Sequence, residues 1–337
     1  MRRLTQISID EYEQVNEFNK TILQDFLDNS TELSPKTKKT YESNLKIWFI
    51  WVKNYLNNKS QLEIKPLDFK KFQNWLINRD CSSSDINNKR AAVSSLNSYI
   101  EVYYFDEYPN FRNFINKSIK RPPKSFVHDK KPLTKAEFSH LIEELRNKNE
   151  LQKIAYLEFT LSTGCRRAES RQLLKEVVNA QPITKYKEFT DVEGNITTKE
   201  VIYYQTNPIR CKGKSKLGKV RKLVFSQKAM NAIKEWIEYR DIEWHDECPY
   251  VFVTKYGGEV KQIGETTFNS WCVNDFAQIV GRRVHPHLWR ESAATQLVVE
   301  DNKNIENVKA LLGHESSETT KIYVIRDENE NIDDLFI

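Results

Sequence analysis

Two adjacent prolines, Pro122 and Pro123, interrupt a chain that is otherwise patterned mainly for helices. Proline lacks a backbone N–H and disfavours helical geometry in the residue before it, so helices are expected to end around such a pair. At about 100–200 residues per domain, the chain is long enough for two domains. We predict an N-terminal domain over 1–118, a basic interdomain linker over 119–132, a second domain over 133–326 and a tail over 327–337.

The N-terminal domain has apolar residues at helical spacing behind typical helix starts. Ser34 precedes Pro35, the arrangement of an N-cap followed by proline in the first helical position. A small bundle with a basic face is therefore expected. We predict that its helices open at Ser8, at Ser34-Pro35, near Pro66 and at Ser83 or Ser84.

The second domain combines helical patterns with a central stretch of strand residues. Thr134 and Glu137 have the spacing of a capping box, and helical patterns cover 151–161 and resume after Arg166. Residues 184–225 hold β-branched and aromatic runs around the turn at 193–195, and 251–253 resembles a short strand. We predict a mainly α fold with a small antiparallel β-sheet.

Composition narrows the classes of protein. No apolar run approaches the roughly 20 residues that cross a bilayer, and the first residues lack the apolar core of a secretion signal. The five cysteines are scattered and have no zinc-binding spacing. We therefore expect a cytoplasmic protein with no membrane partner and no bound metal.

The distribution of charge points to a polyanionic partner. Residues 1–130 contain 21 basic and 16 acidic side chains, whereas 131–337 contain 31 of each. Two segments are nonetheless strongly basic, 111–131 with one acid and 205–225 with none. A single basic run is usually a solvated loop, but two such runs suit a chain that wraps a phosphate backbone.

One short motif, Thr163-Gly164-Cys165-Arg166-Arg167-Ala168-Glu169, places Arg166 where a helix restarts after a glycine. Helix N-termini attract phosphate through their free N–H groups, and arginine adds a bidentate donor. Glu169 is placed to orient that guanidinium. A surface salt bridge at this spacing is the ordinary alternative.

Three further segments carry candidate chemistry. A lysine at the tip of a hairpin, Lys212 or its neighbours Lys214 and Lys216, is able to reach a bound phosphate and donate a proton. His287 and Arg290 share a helix face in Pro286-His287-Leu288-Trp289-Arg290. Leu311-Leu312-Gly313-His314 is followed nine residues later by Tyr323. Each has a plainer alternative: a solvated loop, a chance pair and a core tyrosine.

Taken together and in this order, the segments resemble the signature of the tyrosine recombinase (phage integrase) family, of the Xer, Cre and lambda-integrase type. That family carries T-G-x-R-x-x-E, a hairpin lysine, H-x-x-R, then L-L-G-H and a tyrosine nine residues on. The resemblance covers the whole second domain and implies a tyrosine-recombinase catalytic domain. The first domain resembles the family's helical core-binding (SAM-like) bundle.

The resemblance implies a role for each matching residue. Tyr323 would attack the scissile DNA phosphate and form a 3′-phosphotyrosine, and Lys212 would protonate the departing 5′ oxygen. Arg166 and Arg290 would hold the nonbridging oxygens of the phosphate. His287 and His314 would help to orient the phosphate, with His287 as a candidate acceptor of the phenolic proton, and Glu169 would position Arg166. No cofactor is implied, because one phosphoester replaces another.

The implied partner is double-stranded DNA with a specific core site, bound by a homotetramer on two such sites and located at the nucleoid. Candidate DNA contacts are the basic residues Lys36, Lys38, Lys39, Lys89, Arg90, Lys120, Arg121, Lys214 and Lys216. Two alternatives stay open at this point. One is a type IB topoisomerase, which uses the same chemistry without strand exchange, and the other is a noncatalytic DNA-binding protein derived from an integrase.

Overall fold

In the computed structural model the chain forms two compact units, Met1–Asp129 and Lys130–Ile337. The structure describes residues 9–115, 119–123, 131–190, 196–213, 218–321 and 324, with the backbone alone at 9, 189 and 190. Ile119 packs in the core of the first unit and Leu133 in the core of the second. Ser8, the turn at 193–195 and the tail over 327–337 lie outside the described residues.

The first unit is a helical bundle. Its helices are α1 (Ile9–Glu13), α2 (Glu17–Asn29), α3 (Pro35–Tyr55), α4 (Pro66–Ile77) and α5 (Ser83–Tyr103). The apolar pattern after Ser8 is divided between two helices, because the Asn16 side chain accepts a hydrogen bond from Asn19 N (2.9 Å) and starts α2. Ser34 caps α3 as predicted, and Ser82 caps α5.

Aromatic rings and one polar network fill the core of this bundle. The ring of Trp48 lies 5.4 Å from that of Phe69 and 5.0 Å from that of Phe72, between centroids. Gln61 accepts from Trp48 Nε1 (2.8 Å) and donates to Asn97 Oδ1 (2.7 Å). Burying a polar group is costly unless it is hydrogen-bonded, so these two bonds favour the packing of α3 against α5.

Helices also dominate the second unit. They are α6 (Lys135–Asn147), α7 (Leu151–Thr163), α8 (Arg167–Ser170), α9 (Gln227–Glu243), α10 (Glu265–Trp271), α11 (Ala277–Val280), α12 (Leu288–Thr295), α13 (Ile305–Leu312) and α14 (Ser317–Lys321). The predicted capping box is present, with Glu137 N bonded to Thr134 Oγ1 and Thr134 N to Glu137 Oε2. Within the described part of the chain, no helix has both the length and the apolar character needed to span a bilayer.

The strands of the second unit pair only antiparallel in the described residues, as the sequence predicted. They are β1 (Ile183–Thr190), β2 (Ile196–Gln205), β3 (Ile209–Cys211), β4 (Lys219–Arg221), β5 (Val224–Ser226), β6 (Val253–Tyr256) and β7 (Glu259–Gln262). β1, β2 and β5 form one sheet, and β3–β4 and β6–β7 form hairpins. The buried helix α7 packs against α6, α9, α12 and β5, which makes it the central helix of these contacts.

Candidate active site

The first motif lies at the carboxyl end of α7. Gly164 ends the helix in the left-handed conformation (φ 57°), and Arg166 stands at the N-cap of α8. Glu169 accepts from the backbone N of Arg166 (3.0 Å) and from its Nη1 atom (2.8 Å). The pair is therefore more than a surface salt bridge, because the Glu169 carboxylate is buried and fixes both the backbone and the guanidinium of Arg166.

The second arginine enters the same place from α12. Arg290 is fully buried, and its Nη1 donates to Gly164 O (2.6 Å) while its Nη2 donates to Leu312 O (2.9 Å). His287 directly precedes this helix and is half-buried. Arg290 thus ties the turn that carries Arg166 to the end of α13.

His314 follows the end of α13. Gly313 adopts the left-handed conformation (φ 68°) that typically ends a helix, as the sequence predicted. Nε2 of His314 lies 2.5 Å from Arg290 Nη2, and its Nδ1 lies 2.9 Å from Thr320 Oγ1. A guanidinium has only donors, so Nε2 must accept and the proton sits on Nδ1, which donates to Thr320.

The electrostatics agree with a neutral imidazole. Burial, followed by the positive charges of Arg290, Arg166, Arg221 and Lys219, lowers the pKa of His314 from 6.5 to about 4. Burial alone would raise the pKa of Glu169, but hydrogen bonds from Arg166 and the charges of Arg166 and Arg221 lower it overall. The site therefore holds a neutral histidine and an ionised carboxylate among four cations, which suits an anionic ligand.

A family comparison covers this unit: residues 131–330 match the model of the phage integrase family. That match is more than half of the chain. The chain belongs to the phage integrase family. This integrase is a tyrosine-type site-specific recombinase, an enzyme that cuts and rejoins DNA through a 3′-phosphotyrosine intermediate.

Curated relatives extend the similarity over nearly the whole length of the integrase. It is 32% identical over 340 residues to the SPbeta prophage-derived recombinase-like protein YomM of Bacillus subtilis (strain 168), covering 99% of this chain and 96% of that protein. It is 23% identical over 322 residues to the tyrosine recombinase XerC of Leptospira interrogans, covering 93% and 89%. These relatives favour recombination over the topoisomerase and noncatalytic alternatives.

A solved structure supports the fold of the integrase. The chain matches the XerH site-specific recombinase, bound to palindromic difH substrate in a post-cleavage complex, with a TM-score of 0.66. The alignment covers 98% of this chain and 86% of that chain at 18% identity. The predicted architecture, a helical N-terminal bundle followed by a recombinase catalytic domain, is thereby confirmed.

Of the remaining predicted site residues of the integrase, the structure describes Lys212 but not the others. Lys212 follows β3 directly and is exposed. Tyr323, Lys214 and Lys216 lie outside the described residues. Two basic residues near His314, Lys219 and Arg221, were missed, and the basic run at 205–225 was the signal that could have suggested them.

The predicted DNA contacts in the first unit differ in how exposed their side chains are. Four of these side chains are exposed: Lys36, Lys39, Lys120 and Arg121. Lys38 is half-buried and donates to Leu27 O (2.5 Å).

Two of those predictions are wrong for a surface contact. Lys89 is 3% exposed and its ammonium is paired with Asp85 (2.6 Å). Arg90 is 4% exposed and donates to Gln73 Oε1 (2.8 Å) and to the carbonyls of Ile115 and Ile119. The sequence pattern failed here because charge alone does not show which side of a helix is covered. Neither side chain presents a free charge to a phosphate.

Proposed function

We propose that Arg166, Arg290 and His314 form the phosphate-binding centre of this recombinase and that Tyr323 is its nucleophile. One observation carries the proposal. The guanidinium of Arg290 joins the Arg166 turn, through Gly164 O, to His314, and so three segments distant in sequence supply one cationic centre. Tyr323 follows this centre closely in the chain, nine residues after His314.

In the cleavage step, the hydroxyl oxygen of Tyr323 attacks the phosphorus of the scissile phosphodiester. The bond from phosphorus to the 5′ oxygen breaks, leaving a 3′-phosphotyrosine and a 5′-hydroxyl. His287 accepts the phenolic proton, and Lys212 supplies a proton to the departing 5′ oxygen. Rejoining runs the same step in reverse with a 5′-hydroxyl from the second DNA. The number of phosphoester bonds is conserved, so no energy-supplying cofactor is needed.

The two arginines stabilise charge in the transition state. Donors fixed before the reaction are effective because they need no reorganisation as negative charge develops on the nonbridging oxygens. Arg290 is held by two carbonyls and Arg166 by a buried carboxylate, so both guanidiniums are oriented without substrate. A neutral His314 leaves the hydrogen-bonding direction of Arg290 fixed.

The partner of this centre is double-stranded DNA with a specific core site, and we infer a homotetramer on two sites within the cytoplasm, at the nucleoid. The prophage origin of one relative suggests that the site belongs to a mobile DNA element. The exposed basic residues Lys36, Lys39, Lys120 and Arg121, together with Lys214 and Lys216, are proposed to contact the DNA backbone.

The test is to map covalent protein–DNA ends. Cells carrying the recombinase and its element are lysed in detergent, the recombinase is captured and the attached 3′ ends are sequenced. Wild type should give ends at one core site, and Tyr323→Phe should give none while still binding that site as a duplex. Tyr256→Phe, which alters an exposed tyrosine on β6, is the matched control and should behave as wild type. Adducts with Tyr323→Phe would contradict the assignment.

A further inference from the structure

Two basic side chains of β4 bind the carboxyl end of α13. Lys219 Nζ donates to Gly313 O (2.9 Å). Arg221 donates through Nη1 to Leu311 O (2.7 Å) and through Nη2 to Leu312 O (3.2 Å). The last carbonyls of a helix have no partner within the helix and lie at its negative end, so cations are favoured there.

The contact between Arg221 and this helix end is close. A Cβ atom at position 313 would lie 2.7 Å from the guanidinium carbon of Arg221. Gly313 therefore suits both the left-handed backbone and the close approach of the guanidinium. The fit indicates that the arginine and the turn before His314 form one packed unit.

Arg221 also reaches two other segments of the site. Its Nε donates to the Sγ atom of Cys211 (3.3 Å), the last residue of β3 before Lys212. Its Nη2 lies 3.7 Å from Glu169 Oε2, the carboxylate that holds Arg166. Leu312 O, which accepts from Arg221, accepts from Arg290 as well. One guanidinium thus contacts the segments that carry the hairpin lysine, the first arginine and the histidine.

We propose that Arg221 is a positioning residue that holds the β3–β4 hairpin, and with it Lys212, against the centre formed by Arg166, Arg290 and His314. Each nitrogen of its guanidinium donates to a neighbouring protein group, so the role assigned to Arg221 is to hold these segments in place. The proposal rests on the proposed function, because it needs a lysine on this hairpin to protonate the leaving oxygen.

The experiment compares two substrates for Arg221→Met and Arg221→Lys. The first is a nicked suicide duplex built on the core site mapped as above, and the second carries sulfur in place of the bridging 5′ oxygen at the scissile position. A thiolate leaves without being protonated. Single-turnover formation of the covalent adduct and noncovalent DNA binding are measured for each folded variant.

We expect Arg221→Met to form the adduct about 10- to 100-fold more slowly on the oxygen substrate, less than the roughly 100- to 10,000-fold that a general acid contributes, because the lysine is displaced and not removed. The sulfur substrate should restore most of that rate, and DNA affinity should change less than about twofold. Arg221→Lys should be intermediate, because one ammonium replaces only part of the contacts of the guanidinium.

Arg240→Met is the matched structural control. Arg240 is a buried arginine in the same unit that donates to Asp246 Oδ2 (2.7 Å), Tyr250 O (2.6 Å) and Cys248 O (2.9 Å). Its loss should lower the thermal unfolding midpoint without changing the cleavage rate per folded molecule on either substrate.

Three results would overturn the positioning role. These are a wild-type rate for folded Arg221→Met, equal slowing on both substrates, or failure of both Arg221 variants to fold, which would make Arg221 a general stabiliser. Failure of the proposed function looks different, because wild type would then form no adduct or Tyr323→Phe would still form one.

Discussion

Arg290 Nη2 lies 2.5 Å from His314 Nε2, and this contact fixes the protonation of the histidine. The guanidinium cannot accept a hydrogen bond, so the imidazole is neutral and its remaining proton points to Thr320. A protonated His314 would place two cations in contact inside the protein.

The first prediction concerns pH and stability. The pKa of His314 falls from 6.5 to about 4 on folding, so the unfolded chain binds more protons between these values. The stability that this histidine contributes is fully present above pH 6.5 and is lost as pH falls toward 4. In His314→Gln, the free energy of unfolding in urea should therefore change less with pH between 6.5 and 4 than it does in wild type. His140→Gln, at an exposed position of α6, should leave the wild-type slope, and an unchanged slope in His314→Gln would refute the assignment.

The second prediction concerns Glu169→Gln. The neutral amide keeps the size of the side chain but weakens its hold on Arg166, so single-turnover cleavage should fall about 10- to 100-fold, the range for a displaced catalytic group. Because the pKa of Glu169 is lowered by folding, the stability lost in this variant should be largest at neutral pH and should shrink as pH falls below 4.5. Glu235→Gln removes an exposed pair with Arg146 and should change neither quantity. Equal cleavage by wild type and Glu169→Gln would show that Arg166 needs no such support.

The third prediction separates two effects of a glycine. Gly164 (φ 57°) and Gly281 (φ 73°) both have left-handed backbones. A Cβ atom added to Gly164 would lie 2.2 Å from Leu312 Cδ2, whereas one added to Gly281 would have nothing within 4 Å. Gly281→Ala should lose about 1–2 kcal/mol of unfolding free energy for backbone strain alone. Gly164→Ala should lose clearly more and should also slow cleavage, since Gly164 O accepts from Arg290. Chemical denaturation of both variants provides the comparison, and equal losses would contradict tight packing around Gly164.

The fourth prediction uses the division between exposed and buried basic residues in the bundle. Lys39→Gln should lower the slope of log affinity for the core-site duplex against log salt by about 1, as the loss of one phosphate contact does. Arg90→Met should leave that slope unchanged but destabilise the bundle by about 2 kcal/mol or more, because buried acceptors lose a charged donor. Fluorescence anisotropy from low to moderate salt measures the slopes. A reduced salt slope for Arg90→Met would indicate that Arg90 contacts the DNA after all.

Local sequence signals predicted much of the fold. Ser34 and the Thr134–Glu137 box act within one helical turn, so their effect is visible in a few adjacent residues. The first helix was misjudged because Asn16 interrupts an apolar pattern that by itself continues. The hairpin of β6 and β7 was only partly predicted, at 251–253, because strand pairing depends on a partner further along the chain.

In the candidate site too, residues in local motifs could be predicted, whereas residues whose role depends on tertiary contacts could not. The order of the segments suggested Arg166, Arg290 and His314 together, and their contacts in the structure bring them to one centre. Arg221 could not be recognised, since its role depends on carbonyls about ninety residues away, at Leu311 and Leu312. Burial of Lys89 and Arg90 was equally hidden, because it results from how α5 packs.

The central claim is that Tyr323 is the residue joined to DNA, and peptide mapping of the covalent adduct tests it directly. The adduct trapped on the nicked core-site duplex is digested with nuclease and trypsin, and the nucleotide-bearing peptide is sequenced by mass spectrometry. The account predicts that the mass of a 3′-linked nucleotide lies on Tyr323. The same mass on any other residue, or on none, would contradict it.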